Sequence, residues 1–263
     1  MQRYISGQTH STIIAIQAML RKIDRLRLPV DTRHDVESIL ARQVSKEIDR
    51  ALPWQDGHGR RTAAISLVIG EAAGLTPDEL HDVKLAALLH DIGLLMLPAH
   101  LAEGAYPLDS EAYVAVQNHS RLGAALLEPF AFLKEASTLV AHHHERWDGS
   151  GYPYGIRGAF IPLGARILSV ADAFDAIKVP GAHDRGSRNA IALKIILVSS
   201  GTQFDPALGA LLRRILCHPV PAAQHSGTRT VRGFDRRPSE ASEVHRMESG
   251  DTDGVTGTVL SNL

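Results

Sequence analysis

The sequence predicts an all-α fold, a helical bundle, and three observations carry that prediction. Apolar residues recur at close to helical spacing, beginning with Ile13, Ile16, Leu20 and Ile23. Helix start and stop signals punctuate the chain at intervals of a helix length. No run of residues alternates apolar and polar side chains as a half-buried strand would.

Taken in order, Ser11 to Leu28 reads as a first helix ended by Pro29, and a second runs from Arg33 or His34 to about Leu52, capped by Asp31 or Thr32. Residues 1–52 carry no evident chemistry. They are expected to pack on the domain that follows or to continue an upstream module, with His34 at the surface. The break PWQDGHG precedes a helix from about Arg60 to Ala73, which Gly74 stops. Thr76-Pro77-Asp78-Glu79 then opens the next helix as a capping box with proline in its first turn. Leu85 to Leu89, rich in alanine and leucine, makes that helix a core element, and it delivers His90 and Asp91 at its end, with Gly93 suited to a C-cap. Further helices are expected from Asp109 to Leu127, bearing His119, and from Phe132 to His144, ending in three consecutive histidines. The glycine- and proline-rich loop ERWDGSGYPYGIRGAFIP follows. Helices at Leu163 to Ile177, bearing Asp172, at Arg188 to Ser199 and at Pro206 to Leu216 complete the bundle. After Cys217 the composition turns to Pro, Ser, Gly, Thr, Arg and Glu, which predicts a disordered tail over 218–263. The organisation is therefore an N-terminal helical segment, 1–52, a main domain, 53–217, and a tail.

Composition narrows the function. Lys and Arg total 28 against 29 Asp and Glu, so no excess of basic charge points to a nucleic acid polymer. Cys217 stands alone, which excludes an intramolecular disulfide and fits a reducing compartment. No apolar run approaches the roughly 18 residues that a membrane span requires, and MQRYISGQTH lacks the regions of a signal peptide, so a cytoplasmic location is expected. The 14 histidines are many for 263 residues.

The polar residues at the predicted helix ends are His58, His90, Asp91, His119, His143, His144 and Asp172. Imidazole with carboxylate suits first-row divalent ions, and five histidines with two aspartates exceed what one ion needs. Two ions sharing a bridging carboxylate are the economical arrangement. In such centres a bridging water becomes hydroxide at neutral pH and attacks phosphorus in line, and the surplus positive charge suits an anionic phosphoester. Along the loop, Gly149, Gly151 and Gly155 permit positive φ and close backbone approach, and Tyr152 offers an aromatic face on which a purine can stack. Loop packing is the reading for Trp147 and Tyr154, support of a histidine for Glu145, and pairing with a loop carboxylate for Arg166. His81, His100, His142 and His183 are given no role.

HDIG at 90–93, HHERWDGSGYP at 143–153, IPLGARILSVADAFDA at 161–176 and GTQFDP at 201–206 together resemble the HD-GYP family of bacterial cyclic di-GMP phosphodiesterases, over about His58 to Pro206. The resemblance implies that His58, His90, Asp91, His119, His143, His144 and Asp172 hold two divalent ions, iron or manganese, with Asp91 bridging them. It implies further that Tyr152 and Gly151 line the substrate site and that Asp175 contacts a guanine edge. Some relatives hold a third metal through a glutamate four positions before the first histidine; Trp54 stands there, so this chain resembles the binuclear members. Two departures accompany the match. Leu94 replaces a lysine that in the family reaches the scissile phosphate, and Lys178 to Asp184 replaces a Thr-Ser and Arg-Pro-Tyr stretch whose cations contact the ligand. The expectation is a phosphodiesterase that opens cyclic di-GMP to a linear dinucleotide, with reduced activity. The alternatives are a catalytically weak signalling module that binds a nucleotide or a protein partner, and a phosphohydrolase acting on another nucleotide. A homodimer is a further expectation.

Overall fold

In the computed structural model, residues 7–26, 28–102, 110–177 and 185–217 are described. The predicted tail and the Lys178 to Asp184 stretch lie outside them. Every helix and turn of regular structure among these residues is α or 3₁₀; the sole β feature is an isolated bridge between Ser200 and Phe204. No described helix is long and apolar enough to cross a membrane.

The helices are α1 (Gly7–Asp24), α2 (Val30–Ala51), α3 (His58–Ala73), α4 (Pro77–Leu89), α5 (Ala99–Ala102), α6 (Ser110–Gln117), α7 (His119–Leu127), α8 (Lys134–His142), α9 (Leu163–Ala176), α10 (Arg185–Val198) and α11 (Pro206–Cys217). At the centre stands α4. Its residues Val83, Leu85, Ala86, Ala87, Leu88 and Leu89 are all buried, so it has no solvent-facing stripe in its second half. It packs on α2, α3, α8 and α9, while α1 packs on α2 and α11 on α3. Small residues at Ala86 and Ala87 let these neighbours come close, and the apolar residues they bring form one continuous core. The N-terminal helices contribute Ile13, Ile16, Leu20, Leu40, Val44 and Ile48 to that same core.

Local signals place α4 as expected. Thr76 accepts from the Glu79 amide at 3.3 Å and the Glu79 carboxylate accepts from the Thr76 amide at 2.8 Å, the reciprocal capping box. Gly74, at φ +83°, ends α3.

Four boundaries differ from expectation, each for a physical reason. The first helix stops at Asp24 rather than Leu28, because Pro29 is the N-cap residue of α2 and the connection needs the intervening turn. Thr32 does not cap α2; it lies inside the helix, where its hydroxyl donates to the Pro29 carbonyl. The helix expected from Asp109 to Leu127 is two helices divided at Asn118, a break that starts a new helix at His119. Finally, Gly93 is no C-cap. His90 closes α4 and the chain continues as a 3₁₀ helix, His90–Met96, laid against α7. A β-carbon at Gly93 would overlap the His119 carbonyl oxygen and lie 2.6 Å from the Gly123 amide nitrogen, so the requirement for glycine is one of space.

Candidate metal centre

Five elements bring the seven ligand-type residues together. The start of α3 supplies His58, the 3₁₀ turn after α4 supplies His90 and Asp91, the start of α7 supplies His119, the residues just after α8 supply His143 and His144, and α9 supplies Asp172. They form two groups of three. His58, His90 and Asp172 have ligand atoms within 4.8 Å of one another, as do His119, His143 and His144.

Asp91 stands between the groups with one oxygen toward each. Its Oδ2 is 3.1 Å from His90 Nε2 and 4.0 Å from His58 Nε2, and its Oδ1 is 3.5 Å from His119 Nε2. Asp172 Oδ1 lies 3.0 Å from His58 Nε2 and 3.7 Å from His90 Nε2.

Three of the imidazoles are oriented by the helices that precede them. His90, His119 and His143 each hydrogen-bond through Nδ1 to the carbonyl three residues earlier, on Ala87, Val116 and Val140, at 2.9, 2.8 and 2.7 Å. With the Nδ1 proton donated there, each Nε2 lone pair faces the centre, the arrangement in which histidines hold metals. His90 Nε2 is buried and, although 3.1 Å from Asp91 Oδ2, makes no well-aligned hydrogen bond, which is costly unless something binds it. This donor set and its orphan fit a pair of divalent ions.

Electrostatics divides the two groups. At His143 and His144, burial and then the neighbouring imidazoles push the pKa well below the usual histidine value, so both are neutral and ready to ligate. At His58 burial opposes the charged form, but hydrogen bonds to Asp172 and Asp175 and the charges of Asp172 and Asp91 outweigh it and raise the pKa from 6.5 to about 10. Burial likewise opposes the charge on His90, and Asp91 holds its pKa up. Burial works against ionised Asp91 too, yet His90, His119 and His58 bring its pKa well below the carboxylate range.

An uptake prediction follows from His58. In the metal-free protein it is protonated at neutral pH, and an ion bound at Nε2 must displace that proton. Binding to this group should therefore release protons and tighten by about tenfold per pH unit for each proton released. Calorimetric titration between pH 6.5 and 8 in buffers of different ionisation enthalpy measures this; a proton count of zero would refute it. For the metal-free fold the sign is reversed: the stability from charged His58 is fully present below pH 6.5 and is lost as pH rises through about 10.

The loop expected to bind substrate closes over the second group. Tyr152 packs against His144, ring centroids 4.8 Å apart, and its amide donates to the His144 carbonyl. Gly149 and Gly155 take positive φ; Gly151 does not, and is needed instead because a β-carbon would overlap the Arg146 amide and sit 2.6 Å from the His144 carbonyl oxygen. Glu145 accepts from the Tyr154 amide at 2.7 Å, so it braces the loop rather than a histidine. Trp147 lies beneath the Arg166 guanidinium, and Arg166 pairs with Asp205 at 2.6 Å. Asp175 has both oxygens engaged: Oδ2 with His58 Nδ1 at 2.6 Å and, with Oδ1, in a two-pronged pair with Arg61 at 2.7 and 3.0 Å. In this arrangement it positions His58. Leu94 is 5% exposed and belongs to the apolar core, so a lysine there would have to thread its stem among apolar neighbours to reach the centre.

Sequence reading overlooked two residues. The Gln55 side-chain amide donates to Asp91 Oδ2 from the 3₁₀ turn Pro53–Gln55, and Arg61 clamps Asp175. Arg61 was within reach of inspection, since it stands one helical turn after His58. Gln55 was not, since nothing in the sequence of that short turn says that its side chain points inward.

An HD domain family model matches residues 42–208, more than half of the chain. The chain is 32% identical, over 65% of its length and 47% of the relative's, to the cyclic di-GMP phosphodiesterase response regulator RpfG of Xanthomonas campestris pv. campestris. It is 30% identical, over 81% of its length and 46% of the relative's, to 3'3'-cGAMP-specific phosphodiesterase 3 of Vibrio cholerae. The chain thus spans about half the length of these curated relatives. Among solved structures it resembles Bd1817, an HDG"Y"P protein from Bdellovibrio bacteriovorus, at a TM-score of 0.53 and 18% identity over 82% of this chain and 74% of that one, a likeness of fold.

Proposed function

We propose that this chain, which belongs to the HD domain family, is a metal-dependent phosphodiesterase that opens a cyclic dinucleotide, cyclic di-GMP first, to its linear form. The observation that carries the proposal is the Asp91 carboxylate set between two three-ligand groups with one oxygen toward each. His58, His90 and Asp172 would hold one ion, His119, His143 and His144 the other, and iron or manganese suits this mixture of imidazole and carboxylate. When bound, two such ions supply water activation and neutralise charge on the phosphate.

The protein's own residues do the rest. Nδ1 hydrogen bonds to helix carbonyls fix the imidazoles before any ion arrives, so little reorganisation is left to pay for on binding. Asp175, held by Arg61, fixes His58 in the same way from a carboxylate. Tyr152 sets an aromatic face beside His144, where a base of the dinucleotide would stack and place a phosphodiester over Asp91. In the reaction water oxygen forms a new bond to phosphorus, the bond to one bridging ribose oxygen breaks, and that oxygen leaves with a proton.

A second reading, in which the substrate is 3'3'-cGAMP, is favoured by the second relative's stated specificity and uses the same residues with a different base at Tyr152. Anaerobic incubation of manganese- or iron-loaded protein with each cyclic dinucleotide, followed by chromatography, tests both. A linear product from cyclic di-GMP is expected. No product from either nucleotide at full metal loading would end the phosphodiesterase reading.

A further inference from the structure

Where α2 crosses α4, away from the centre, lies another set of metal-ligand side chains. His34 and Glu37 stand one turn apart on α2 and face His81 on α4, with ligand atoms within 4.8 Å of one another. Glu37 is 4% and His81 8% exposed, and His81 Nε2 is 2.8 Å from Glu37 Oε2. They form part of the wall of a cavity of about 260 Å³ that Arg33, Asp82 and Phe132 also line. Along α4 the separation of His81 from His90 is about 13 Å, so the set is distinct from the centre described above.

We propose that His34, Glu37 and His81 bind one divalent transition ion, zinc fitting best, which joins α2 to α4 and keeps a coordination position open to the cavity. Two imidazoles with a carboxylate are the three-ligand set of an open zinc site. The need for a cation is visible in how poorly Glu37 is otherwise neutralised. Its partners at ion-pair distance among the described residues are His81, a neutral imidazole at 2.8 Å, and Arg33, which approaches only to 3.6 Å with a side chain 54% exposed, while Glu37 itself is buried. Burial raises the Glu37 pKa, and burial, then the charges of His34 and Lys84, lower that of His81 to about 4, so His81 is the neutral imidazole a metal requires. Acid accumulates at the cavity as well: burial, then Glu135 and Asp78, raise the Asp82 pKa to about 6, a crowding that a cation relieves.

The geometry asks for a small rearrangement. The His34 ring now lies stacked on His81, centroids 3.9 Å apart and planes 14° apart, which points neither nitrogen pair at a common ion. His34 is 42% exposed at its side chain, and beyond the His81 ring its contact is the exposed Asp78 carboxylate at 3.7 Å, so it is the ligand with room to turn, whereas Glu37 and His81 are buried. Metal–ligand distances of about 2.0–2.2 Å put ligand atoms roughly 3.3–3.6 Å apart, so His34 has to close by at most about 1.5 Å, while Glu37 and His81, now 2.8 Å apart, part by about 0.6 Å to admit the ion.

The test is zinc titration of the metal-depleted full chain against a chromophoric chelator, comparing the parent with Glu37→Gln and His34→Ala. Glu37→Gln is isosteric, His34→Ala changes a half-exposed side chain, and circular dichroism checks that both fold. Glu37→Gln should bind one equivalent fewer than the parent, and His34→Ala should hold that equivalent at least about tenfold more weakly, whatever number the centre around Asp91 takes. If both folded variants bind as many equivalents as the parent, with the same affinity, the site does not exist.

Discussion

Asp91→Ala is expected to leave the protein with less than about half an equivalent of metal at the centre and no measurable hydrolysis of a cyclic dinucleotide. Loss of a group that only orients a ligand costs roughly 10- to 100-fold in metal affinity, and Asp91 is placed to ligate directly, on both sides at once. A single substitution therefore weakens both ions. Substituting a residue of one group alone, such as His144→Ala, should spare the other group. Elemental analysis after anaerobic purification with metal supplied gives the count, and circular dichroism shows whether the fold persists. Asp91 is 14% exposed and lies at the polar centre rather than in the apolar core, so the alanine variant should fold. If Asp91→Ala retains two ions per chain, the bridging arrangement is wrong.

How much of this centre was legible in the sequence depends on where each residue gets its position. The capping box at Thr76 and Glu79 and the stop at Gly74 are determined by residues within one turn, and local pattern finds them. The ligand-type residues are legible for a related reason. All but Asp172, which lies inside α9, sit at or next to a helix end, where a polar side chain beside an apolar run is conspicuous, and an excess of imidazole over what helices need asks for a metal. The order of those residues then matched a family, which supplied the set and the bridging role of Asp91, while their division into two groups comes from the coordinates.

What was not legible is tertiary. The break at Asn118 leaves no mark on apolar spacing, since Val114, Leu122 and Leu126 continue the pattern across it; what it accompanies is tertiary, the approach of the His119 carbonyl and the Gly123 amide to Gly93. His34 and His81 lie 47 positions apart and acquire a common role only through the crossing of α2 on α4. Asp175 shows the same limit from the other direction. The resemblance implied a base contact, and its pairing with Arg61 and His58 is a further set of contacts that only coordinates reveal.

Gly93→Ala is expected to be the most damaging single change outside the ligands. The added β-carbon meets backbone on α7, the His119 carbonyl and the Gly123 amide, and backbone within a helix cannot rotate away as a side chain can. Overpacking in a core usually costs about 1–3 kcal/mol, and a clash between two backbones belongs at or beyond the top of that range. At about 2–4 °C per kcal/mol for a chain of this size, the metal-free variant should melt at least about 6 °C below the parent. The damage should also be directional. Relief of the clash by a shift of α7 moves His119 away from Asp91, now 3.5 Å from it, and leaves His90 on its turn and His58 and Asp172 on α3 and α9 where they are. The ion held by His119, His143 and His144 should thus be lost before the one held by His58, His90 and Asp172. Thermal unfolding of metal-free protein followed by metal analysis at limiting metal distinguishes the two effects: a melting temperature within about 2 °C of the parent would show that the turn yields without cost, and equal loss of both ions would show that Asp91 does not move relative to His119.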